Sequence, residues 1–463
     1  METAVASYNP ITMKIRTFIS TLGLIIACSA AAAAAGDSTI TPPAVDPQIA
    51  AFVSQVSADR LRTNDTTLVN FSTRNDFSET TSTATSGVFA ARDWIRSQFE
   101  ASAQASGGRM TVRLDTYLQP KTPRTPRAVT ESSVVATLRG DAPGPLYVLS
   151  SHFDDCNGDC TNGTRVAPGA DDNGSATSEV LEAARILAPH HFRGTIVFVC
   201  FDGEELGLWG SQHYADELKA AGTAVEADLN SDIIGNSTGG NGVHEPNVIR
   251  VFSEALPAGA VDDRVNLVGS ENDSPSRELA RFVGAVIPQY IPDFTVRQIW
   301  RADRFLRGGD QESFQADGFP AIRFVEPNEN FTHQHQDVRV QDGVQYGDLP
   351  QFMDFDYLAQ TTRANIAALA ALAMAPPRPA GAQLVAAHLG YDTTLRWSAV
   401  SGAASYEIVW RATNAADWQF SKDVGDVTSA TVPYSKDDYI FGVRAVDDAG
   451  HASVASYPTA VRE

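Results

Sequence analysis

Acidic and histidine side chains that could bind a metal ion recur along the middle of the chain. His152 and Asp154 are two residues apart, so on a strand both side chains would lie on the same face. Two acid pairs follow, Asp171-Asp172 in a glycine-rich turn and Glu204-Glu205 directly after a hydrophobic run. In the second pair, one glutamate could bind a metal ion while the other accepts a proton from metal-bound water. These motifs therefore predict hydrolytic metal chemistry.

Each motif also has an ordinary structural interpretation. His152 could be a packed histidine at a strand end, and Asp171 or Asp172 could cap the helix that follows. A glutamate pair is common at a solvated helix start. Two adjacent aspartates are nevertheless more than capping requires, and the turn lacks the alternate-residue ligands and terminal glutamate of an EF-hand. The metal interpretation is favoured because the motifs follow hydrophobic strands.

Two further positions extend the candidate set. Asp232 lies among apolar residues, and a buried acid needs a partner, which could be a metal ion or a nearby arginine. His333 and His335 lie in one polar loop, and one of them is expected to be a ligand. The fold must therefore bring together residues that are far apart in the sequence.

The elements between these motifs predict an α/β fold. Strands are expected at 110–117, 132–138, 146–151, 195–201, 225–229, 248–252 and 321–325. Helices are expected at 46–62, 88–99, 175–187, 206–221, 275–287 and 357–374. Open α/β sheets bind ligands at the carboxyl ends of their strands, which is where the histidine and acid motifs lie.

The chain divides into four predicted parts. Residues 1–35 are interpreted as a signal peptide, because Lys14 and Arg16 precede a short apolar run that ends in alanines. A catalytic domain is expected over 36–375, a proline-rich linker over 376–380 and a small all-β domain over 381–463. The leader predicts a secreted or periplasmic protein without a transmembrane span after its removal. Processing at Cys28 would instead give a lipid-anchored lipoprotein.

Composition and cysteine spacing narrow the class of protein. The chain has 56 acidic and 35 basic residues, a net charge of −21, which excludes nucleic acid as an expected partner. A hydrophobic fraction of 43% indicates a folded protein with a sizeable core. Cys156 and Cys160 could form a local disulfide, and a cysteine-based metal site is disfavoured without a second pair.

Taken in order, the motifs resemble metallopeptidase family 28, the co-catalytic zinc aminopeptidases that include bacterial leucyl aminopeptidases. The resemblance runs from about Leu146 to Asp337 through His-x-Asp, Pro-Gly-Ala-Asp-Asp-Asn-Gly-Ser, Asp-Gly-Glu-Glu-Leu-Gly, Asn-x-Asp-Ile-Ile-Gly and a late histidine. It implies a mixed central β-sheet flanked by helices, two Zn²⁺ ions per chain and a peptide substrate. The implied activity is removal of N-terminal residues.

The resemblance also assigns roles by position. The implied zinc ligands are Asp172 bridging both ions, His152 and Asp232 on one ion, and Glu205 and His333 on the other. Glu204 becomes the general base, Asp154 the partner of His152, and Asp171 a residue that shapes the loop. His333 is preferred to His335 because the family's last ligand stands four residues before an aspartate, here Asp337.

The sequence departs from the family pattern beside the last two ligands. The family's Ser-Asp-His segment is replaced by a segment that contains Asp310, which could assist catalysis or only shape a glycine turn. Family members can use a tyrosine there to stabilise the oxyanion. The segment Phe305-Leu306-Arg307 has none, so Arg307 or the metal alone is expected to do this work.

The C-terminal segment resembles a fibronectin type III module. The resemblance rests on Leu395–Trp397, Ala404–Glu407 and Tyr439–Asp447, and it implies that Trp397 and Tyr439 are core and corner aromatics. Such a module could hold the enzyme to a surface or polymer, or cover an edge of the catalytic domain.

Other functions fit parts of the same pattern. The metal site could serve a carboxypeptidase, a dipeptidase or a glutaminyl cyclase-like enzyme. A non-catalytic binding protein with a structural metal is a further alternative, although structural zinc sites are normally closed and rich in cysteine. A serine hydrolase is disfavoured because no Gly-x-Ser-x-Gly elbow is found near a His/Asp pair.

Overall fold

The computed structural model describes residues 38–40, 45–255 and 273–462. The predicted signal peptide over 1–35 and Cys28 lie outside these residues. The described residues all belong to one compact unit, and the domain boundary predicted near residue 375 stays a prediction. Within the described ranges, no helix combines the length and apolar character that crossing a membrane would require.

The elements alternate in the way expected for an α/β protein followed by an all-β segment. The helices in the described part of the chain are α1 (Pro47–Val53), α2 (Ala58–Val69), α3 (Val88–Ala105), α4 (Ala176–Leu187), α5 (Glu204–Gly207), α6 (Trp209–Ala220), α7 (Pro275–Tyr290), α8 (Gln311–Ala316) and α9 (Phe355–Met374). The strands are β1 (Ser38–Thr39), β2 (Met110–Gln119), β3 (Val129–Leu138), β4 (Leu146–His152), β5 (Thr195–Phe201), β6 (Val225–Ser231), β7 (Val248–Phe252), β8 (Thr295–Ile299), β9 (Ala321–Val325), β10 (Arg339–Gln341), β11 (Val344–Tyr346), β12 (Gln383–Val385), β13 (Thr393–Arg396), β14 (Ser405–Ala412), β15 (Phe420–Gly425), β16 (Ser429–Val432), β17 (Tyr439–Val446) and β18 (Thr459–Val461).

An eight-stranded mixed sheet forms the centre of the molecule. Its order is β2-β3-β5-β4-β6-β9-β7-β8. The central strands β5, β4, β6 and β9 run parallel, whereas β2 pairs antiparallel with β3 and β9 pairs antiparallel with β7. The predicted fold class, a mixed sheet flanked by helices, is confirmed.

Both faces of the sheet are covered by helices. On β4, Leu149 belongs to the core under α1, α2, α3, α4, α7 and α9, and its neighbour Val148 packs with α6 and α8 on the other face. Because both faces are apolar, the central strands are continuous hydrophobic runs rather than alternating ones. This burial fixes the strand ends at which the candidate ligands lie.

Two predicted helices are interrupted. The helix expected over 46–62 is divided into α1 and α2, and the Ser57 side chain caps α2 by accepting the N–H of Arg60. The helix expected over 206–221 is divided at Leu208, which adopts a left-handed φ of 60°. The second break separates the short helix α5, with Glu204 and Glu205, from α6.

The C-terminal module, β12 to β18, is all-β as predicted. One sheet has the order β16-β13-β12-β18, and the other has the order β1-β15-β14-β17, in which β1 pairs with β15. Trp397 is buried in the module core as expected, whereas Tyr439 is half-buried at its margin. The Tyr406 hydroxyl accepts the N–H of Val400 at 2.7 Å. The fibronectin type III resemblance of this module stays a prediction.

The module packs on α7 of the catalytic part through buried polar contacts. Arg411 on β14 binds both carboxylate oxygens of Asp273 at 3.0 Å, and the Trp418 indole donates to Glu278 at 3.1 Å. Arg281 donates to the carbonyl of Ala416 at 2.7 Å. We call these contacts the α7 latch.

Candidate metal centre

Neighbouring strands of the sheet bring the predicted ligands together at their carboxyl ends. His152 ends β4, Glu204 and Glu205 follow β5, and Asp232 follows β6, in a sheet where β4 lies between β5 and β6. Asp172 lies in the turn that precedes α4, and its peptide bond with Asn173 is cis. The parallel arrangement of β5, β4 and β6 therefore gathers residues from four separate segments.

Asp172 occupies the middle of the resulting cluster. Its Oδ1 lies 3.4 Å from His152 Nε2, and its Oδ2 lies 3.0 Å from His335 Nε2. The remaining acids flank these imidazoles, with Asp232 Oδ2 at 3.6 Å from His152 Nε2 and Glu205 Oε2 at 2.9 Å from His335 Nε2. Two groups with ligand atoms within 4.8 Å of one another result, His152/Glu204/Asp232 and Asp172/Glu205/His335.

The structure places His335, and not His333, in this cluster. The His333 ring stacks on Phe352 at a centroid distance of 3.7 Å, and its Nε2 lies 3.3 Å from the Asn330 amide nitrogen. The spacing to Asp337 does not identify the ligand, because Asp337 turns outward and pairs with Arg165 at 3.0 Å. The expectation for His333 is corrected accordingly.

Asp154 lies directly behind the cluster, as the resemblance implied. Its Oδ1 and Oδ2 accept the backbone N–H groups of Glu204 and Glu205 at 3.2 and 3.0 Å. Its Oδ1 also lies 3.5 Å from His152 Nδ1, and its carbonyl oxygen is closer, at 3.2 Å. One side chain thus orients the His152 ring and the turn that carries both glutamates.

Asp171 points away from the cluster and holds the loop. Its Oδ1 accepts the N–H of Gly235 at 2.8 Å, which ties the loop to the segment after β6. The buried carboxylate of Asp348 accepts the N–H groups of Asp171 at 2.9 Å and Asp172 at 2.7 Å. Sequence reasoning missed Asp348, because an acid in a loop far along the chain carries no local signal.

Arg323 is a second residue that sequence reasoning missed. Its Nη2 lies 2.7 Å from Asp232 Oδ2, its Nη1 lies 2.8 Å from Asp303, and the side chain is fully buried. Of the two partners considered for Asp232, the arginine is therefore present, and it leaves one carboxylate oxygen of Asp232 unpartnered. An arginine inside an apolar strand was the available signal, since such a charge needs a buried partner.

Several atoms of the cluster have no hydrogen-bond partner among the described residues. They are His152 Nε2, Glu205 Oε1 and Asp232 Oδ1, all buried. Buried polar atoms normally have hydrogen-bond partners. Three unpartnered atoms in one cluster are therefore consistent with ligands for a cation. Imidazole and carboxylate ligands with a free glutamate nearby fit zinc in an open, catalytic arrangement.

Charge interactions within the cluster are strong. Burial raises the pKa of Asp172, but contacts with His152 and His335 lower it by more and hold it well below its usual range. Burial lowers the pKa of His335, but the carboxylates of Glu205 and Asp172 raise it by more. The pKa of His335 therefore lies well above its usual range. Burial raises the pKa of Glu204 well above its usual range. The protons held by His335 and Glu204 offset the negative charge of the neighbouring carboxylates, and a bound cation could offset that charge instead.

Two other predicted features border the cluster. Arg307 Nη1 lies 3.5 Å from the His335 ring, and its Nη2 donates to Gln334 at 2.9 Å. Asp310 is buried, and neither of its carboxylate oxygens has a hydrogen-bond partner in the described part of the chain. Cys156 and Cys160 form a disulfide with a Cα–Cα distance of 4.7 Å, so neither sulfur is available as a thiolate ligand.

An α/β sheet that presents two adjoining histidine and carboxylate groups at its strand ends defines a metallohydrolase architecture. The description "Peptidase family M28" matches residues 133–341. A probable zinc metalloprotease of Leptosphaeria maculans is 44% identical over 422 residues, which cover 90% of this chain and 98% of the relative. A probable zinc metalloprotease of Pyricularia oryzae is 43% identical over 425 residues, which cover 89% of this chain and 84% of the relative. The chain belongs to peptidase family M28.

Solved structures share the fold. The Legionella pneumophila LapA aminopeptidase aligns with a TM-score of 0.53 and 20% identity over 73% of this chain and 78% of its own. LapB from the same organism aligns with a TM-score of 0.51 and 18% identity over 72% of this chain and 77% of its own. At these identities, the similarity is one of architecture.

Proposed function

We propose that the protein is a secreted aminopeptidase that uses two Zn²⁺ ions to remove residues from the N-termini of peptides. The position of Asp172 carries this proposal, because each of its carboxylate oxygens lies near a different imidazole. A carboxylate in this position can bridge two cations. The names of the relatives, zinc metalloproteases, support zinc as the metal.

The residues of the cluster divide into two sets around Asp172. His152 and Asp232 would hold one Zn²⁺, and Glu205 and His335 would hold the other. Asp154 would position His152 and the Glu204–Glu205 turn through the contacts that it makes with both. Arg323 would keep one oxygen of Asp232 engaged, so that the other faces the ion.

In this proposal, Glu204 is the residue that moves a proton. Its carboxylate lies within 4.8 Å of ligand atoms of His152 and Asp232. A bound Zn²⁺ would polarise the scissile carbonyl and lower the pKa of the attacking water. Glu204 accepts a proton from that water as the new C–O bond forms, and gives it to the amine nitrogen as the C–N bond breaks. Its carboxylate is then ready for the next substrate.

Charge near the cluster supports an amino-terminal substrate. Asp310 is buried without a hydrogen-bond partner in the described residues and is not one of the proposed zinc ligands. The α-ammonium of a peptide would offset this negative charge, whereas the α-carboxylate recognised by a carboxypeptidase would add to it. Arg307, at 3.5 Å from His335, is close enough to stabilise the oxyanion of a bound substrate.

The Cys156–Cys160 disulfide supports secretion. Disulfides persist in oxidising compartments and are rare in the cytosol. The predicted leader over 1–35 agrees with export.

The proposal is tested with leucine 4-nitroanilide and its N-acetylated counterpart. We expect hydrolysis of the free amine only, loss of activity with 1,10-phenanthroline and recovery with added Zn²⁺. Glu204→Gln should lower kcat by about 100- to 10,000-fold with unchanged zinc content, because it removes the proton acceptor but no proposed ligand.

Glu100→Gln is the matched control, since Glu100 lies on α3 and is half exposed. It should retain wild-type kcat. Activity that survives both chelation and Glu204→Gln would overturn the proposal. Equal hydrolysis of the N-acetylated substrate would replace the aminopeptidase by an endopeptidase.

A further inference from the structure

A second group of acids is buried behind the metal centre, outside its ligand set. Asp76 begins the turn between α2 and α3, Glu131 lies on β3, and Asp202 follows β5. Their exposed fractions are 1%, 0% and 1%. Oxygens of Asp76, Asp202 and Asp154 lie within 4.8 Å of one another, and Glu131 faces the same space through its contacts with Asp202. We call Asp76, Glu131 and Asp202 the rear acid cluster.

The rear acid cluster receives almost no hydrogen bonds. Among the described residues, no partner is found for either oxygen of Asp76, either oxygen of Glu131 or Oδ1 of Asp202. Asp202 Oδ2 accepts the N–H of Ser132 at 2.8 Å. Tyr117 on β2 pairs with Glu131 on β3, so the two side chains share one face of the sheet, and the Tyr117 hydroxyl is also buried without a partner in the described residues. Five carboxylate oxygens and one phenol oxygen are thus available.

The charge of this cluster is not balanced by a nearby base. In the described part of the chain, none of its three carboxylates forms an ion pair with lysine, arginine or histidine. Burial, followed by repulsion from neighbouring carboxylates, raises the pKa of Asp76 and of Glu131 well above their usual range. Unpaired buried carboxylates are costly, so either shared protons or a cation must offset them.

Close packing keeps the carboxylates in place. Gly203 adopts a left-handed φ of 81°, and a Cβ at this position would lie 2.9 Å from Glu131 Oε2. The left-handed φ favours glycine at this position, and the turn after β5 passes close to the Glu131 carboxylate. The same turn continues into Glu204 and Glu205, whose N–H groups are held by Asp154.

We propose that the rear acid cluster binds one Ca²⁺ ion. The available atoms are all oxygens, which hard cations prefer over the histidine and cysteine ligands typical of zinc. Calcium takes six to eight oxygen ligands, and two from Asp76, two from Glu131, one from Asp202 and one from Tyr117 make six. Calcium is favoured over Mg²⁺ because Mg²⁺ tends to keep several waters, whereas this cluster is buried.

The ion would connect the turn after β5 with the turn at 76–78. It would fix Asp202 and hence the turn that presents Glu204 and Glu205. It would also join the 76–78 turn to β3 and β5, which lie in the main sheet. Calcium thereby stabilises the catalytic turn without touching substrate.

The test uses the full-length protein, stripped of metal and reloaded with Zn²⁺ at a fixed free concentration. Calcium content after desalting and Tm are measured with and without added CaCl₂. We expect about one Ca²⁺ per chain beyond the zinc content and a rise in Tm of roughly 3–5 °C at saturation. Both measurements are independent of peptidase activity, so failure of the proposed function would not affect them.

The isosteric changes Asp76→Asn and Glu131→Gln should each abolish the calcium-dependent rise. Without calcium, both variants should melt at or above the wild-type Tm, because each removes an unbalanced buried charge. Asp65→Asn is the matched control, since Asp65 is equally buried and unpartnered in the described residues but lies outside the cluster. It should keep the full rise.

Two results would overturn the proposal. The first is wild-type protein that retains no calcium and shows no shift in Tm, which would mean that the carboxyls share protons. The second is a calcium-dependent shift that persists in both Asp76→Asn and Glu131→Gln, which would place the ion elsewhere.

Discussion

Asp172 divides the metal centre into two halves. One oxygen faces His152, which is anchored on β4, and the other faces His335, which lies in a loop. The first half is held by a central strand and by Asp154, so its geometry is fixed by the core. The second half depends on how the loop after β9 folds. The two halves should therefore differ in how readily they lose their ligand geometry.

Replacing His335 by alanine should remove one metal ion per chain and lower kcat/KM by at least about 100-fold, because an imidazole ligand is lost beside Asp172 and Glu205. Metal content by mass spectrometry and steady-state kinetics measure this. His333→Ala should retain metal and activity and cost only about 1 kcal/mol of stability, since its ring stacks on Phe352. Equal losses in both variants would contradict the assignment.

Sequence reasoning brought His152, Asp172, Glu205 and Asp232 to one place because each directly follows or precedes a regular element. The choice between His333 and His335 could not be made in that way. His335 adopts a left-handed φ of 51°, which redirects its side chain relative to its neighbours. No glycine or turn motif at His335 signals this conformation, so spacing alone favoured His333, which lies outside the cluster.

Strand ends and short turns position the centre, and these elements differed in how well they could be predicted. The bounds of β5, β7 and β9 agree with the predicted strands, because buried strands are continuous apolar runs with sharp ends. Strand β8 and helix α8 were not predicted. Most of β8 is half-buried with no alternation, and α8 has only six residues, too few for a helical period to emerge.

The α7 latch should be a strong link between elements. Arg411→Ala would leave buried Asp273 paired with Arg281 alone, and the lost hydrogen bonds are expected to cost about 1.5–3 kcal/mol and to expose the module to proteolysis. Thermal unfolding and limited trypsin digestion measure these effects. Arg396→Ala on the exposed side of β13 should change stability by less than about 0.5 kcal/mol. An unchanged Tm for Arg411→Ala would show that the latch contributes little.

At the scale of the whole molecule, much of the negative charge lies inside. The buried acids around the metal centre and the rear acid cluster include Asp65, Asp76, Glu131, Asp154, Asp155, Asp171, Asp172, Asp202, Glu205, Asp228, Asp232, Asp310, Glu326 and Asp348. The net charge of −21 therefore overstates how acidic the surface is. Composition predicted no nucleic-acid partner, but it could not show where the acids lie.

His451 joins the module to the N-terminal helix and makes stability depend on pH. Its Nε2 lies 3.0 Å from Asp46, and its Nδ1 lies 2.9 Å from Asp447. Burial opposes the change, but hydrogen bonds to both aspartates raise the pKa of His451. A raised histidine pKa stabilises the fold fully below about pH 6.5, and this stabilisation is lost as pH rises through the folded-state value.

Asp46 sets the lowest pH at which its contact with His451 stabilises the fold. Burial opposes the change, but the hydrogen bond with His451 lowers its pKa, so its contribution is present above about pH 4 and is lost as pH falls through the lowered value. His451→Ala should therefore lower stability by about 1 kcal/mol near pH 5 and by much less near pH 8.5. Tm measured across pH for both proteins checks this, and a pH-independent difference would contradict it.

The pairing of β1 with β15 has a consequence for how the chain reaches its native state. Ser38 lies beside Ser421, so the edge of the module sheet joins segments from opposite ends of the described chain. A nascent polypeptide presents the β1 segment long before ribosomal synthesis of its partner strand. Closure of that edge must therefore wait until β15 has been synthesised, which makes it a late, high-contact-order step in maturation.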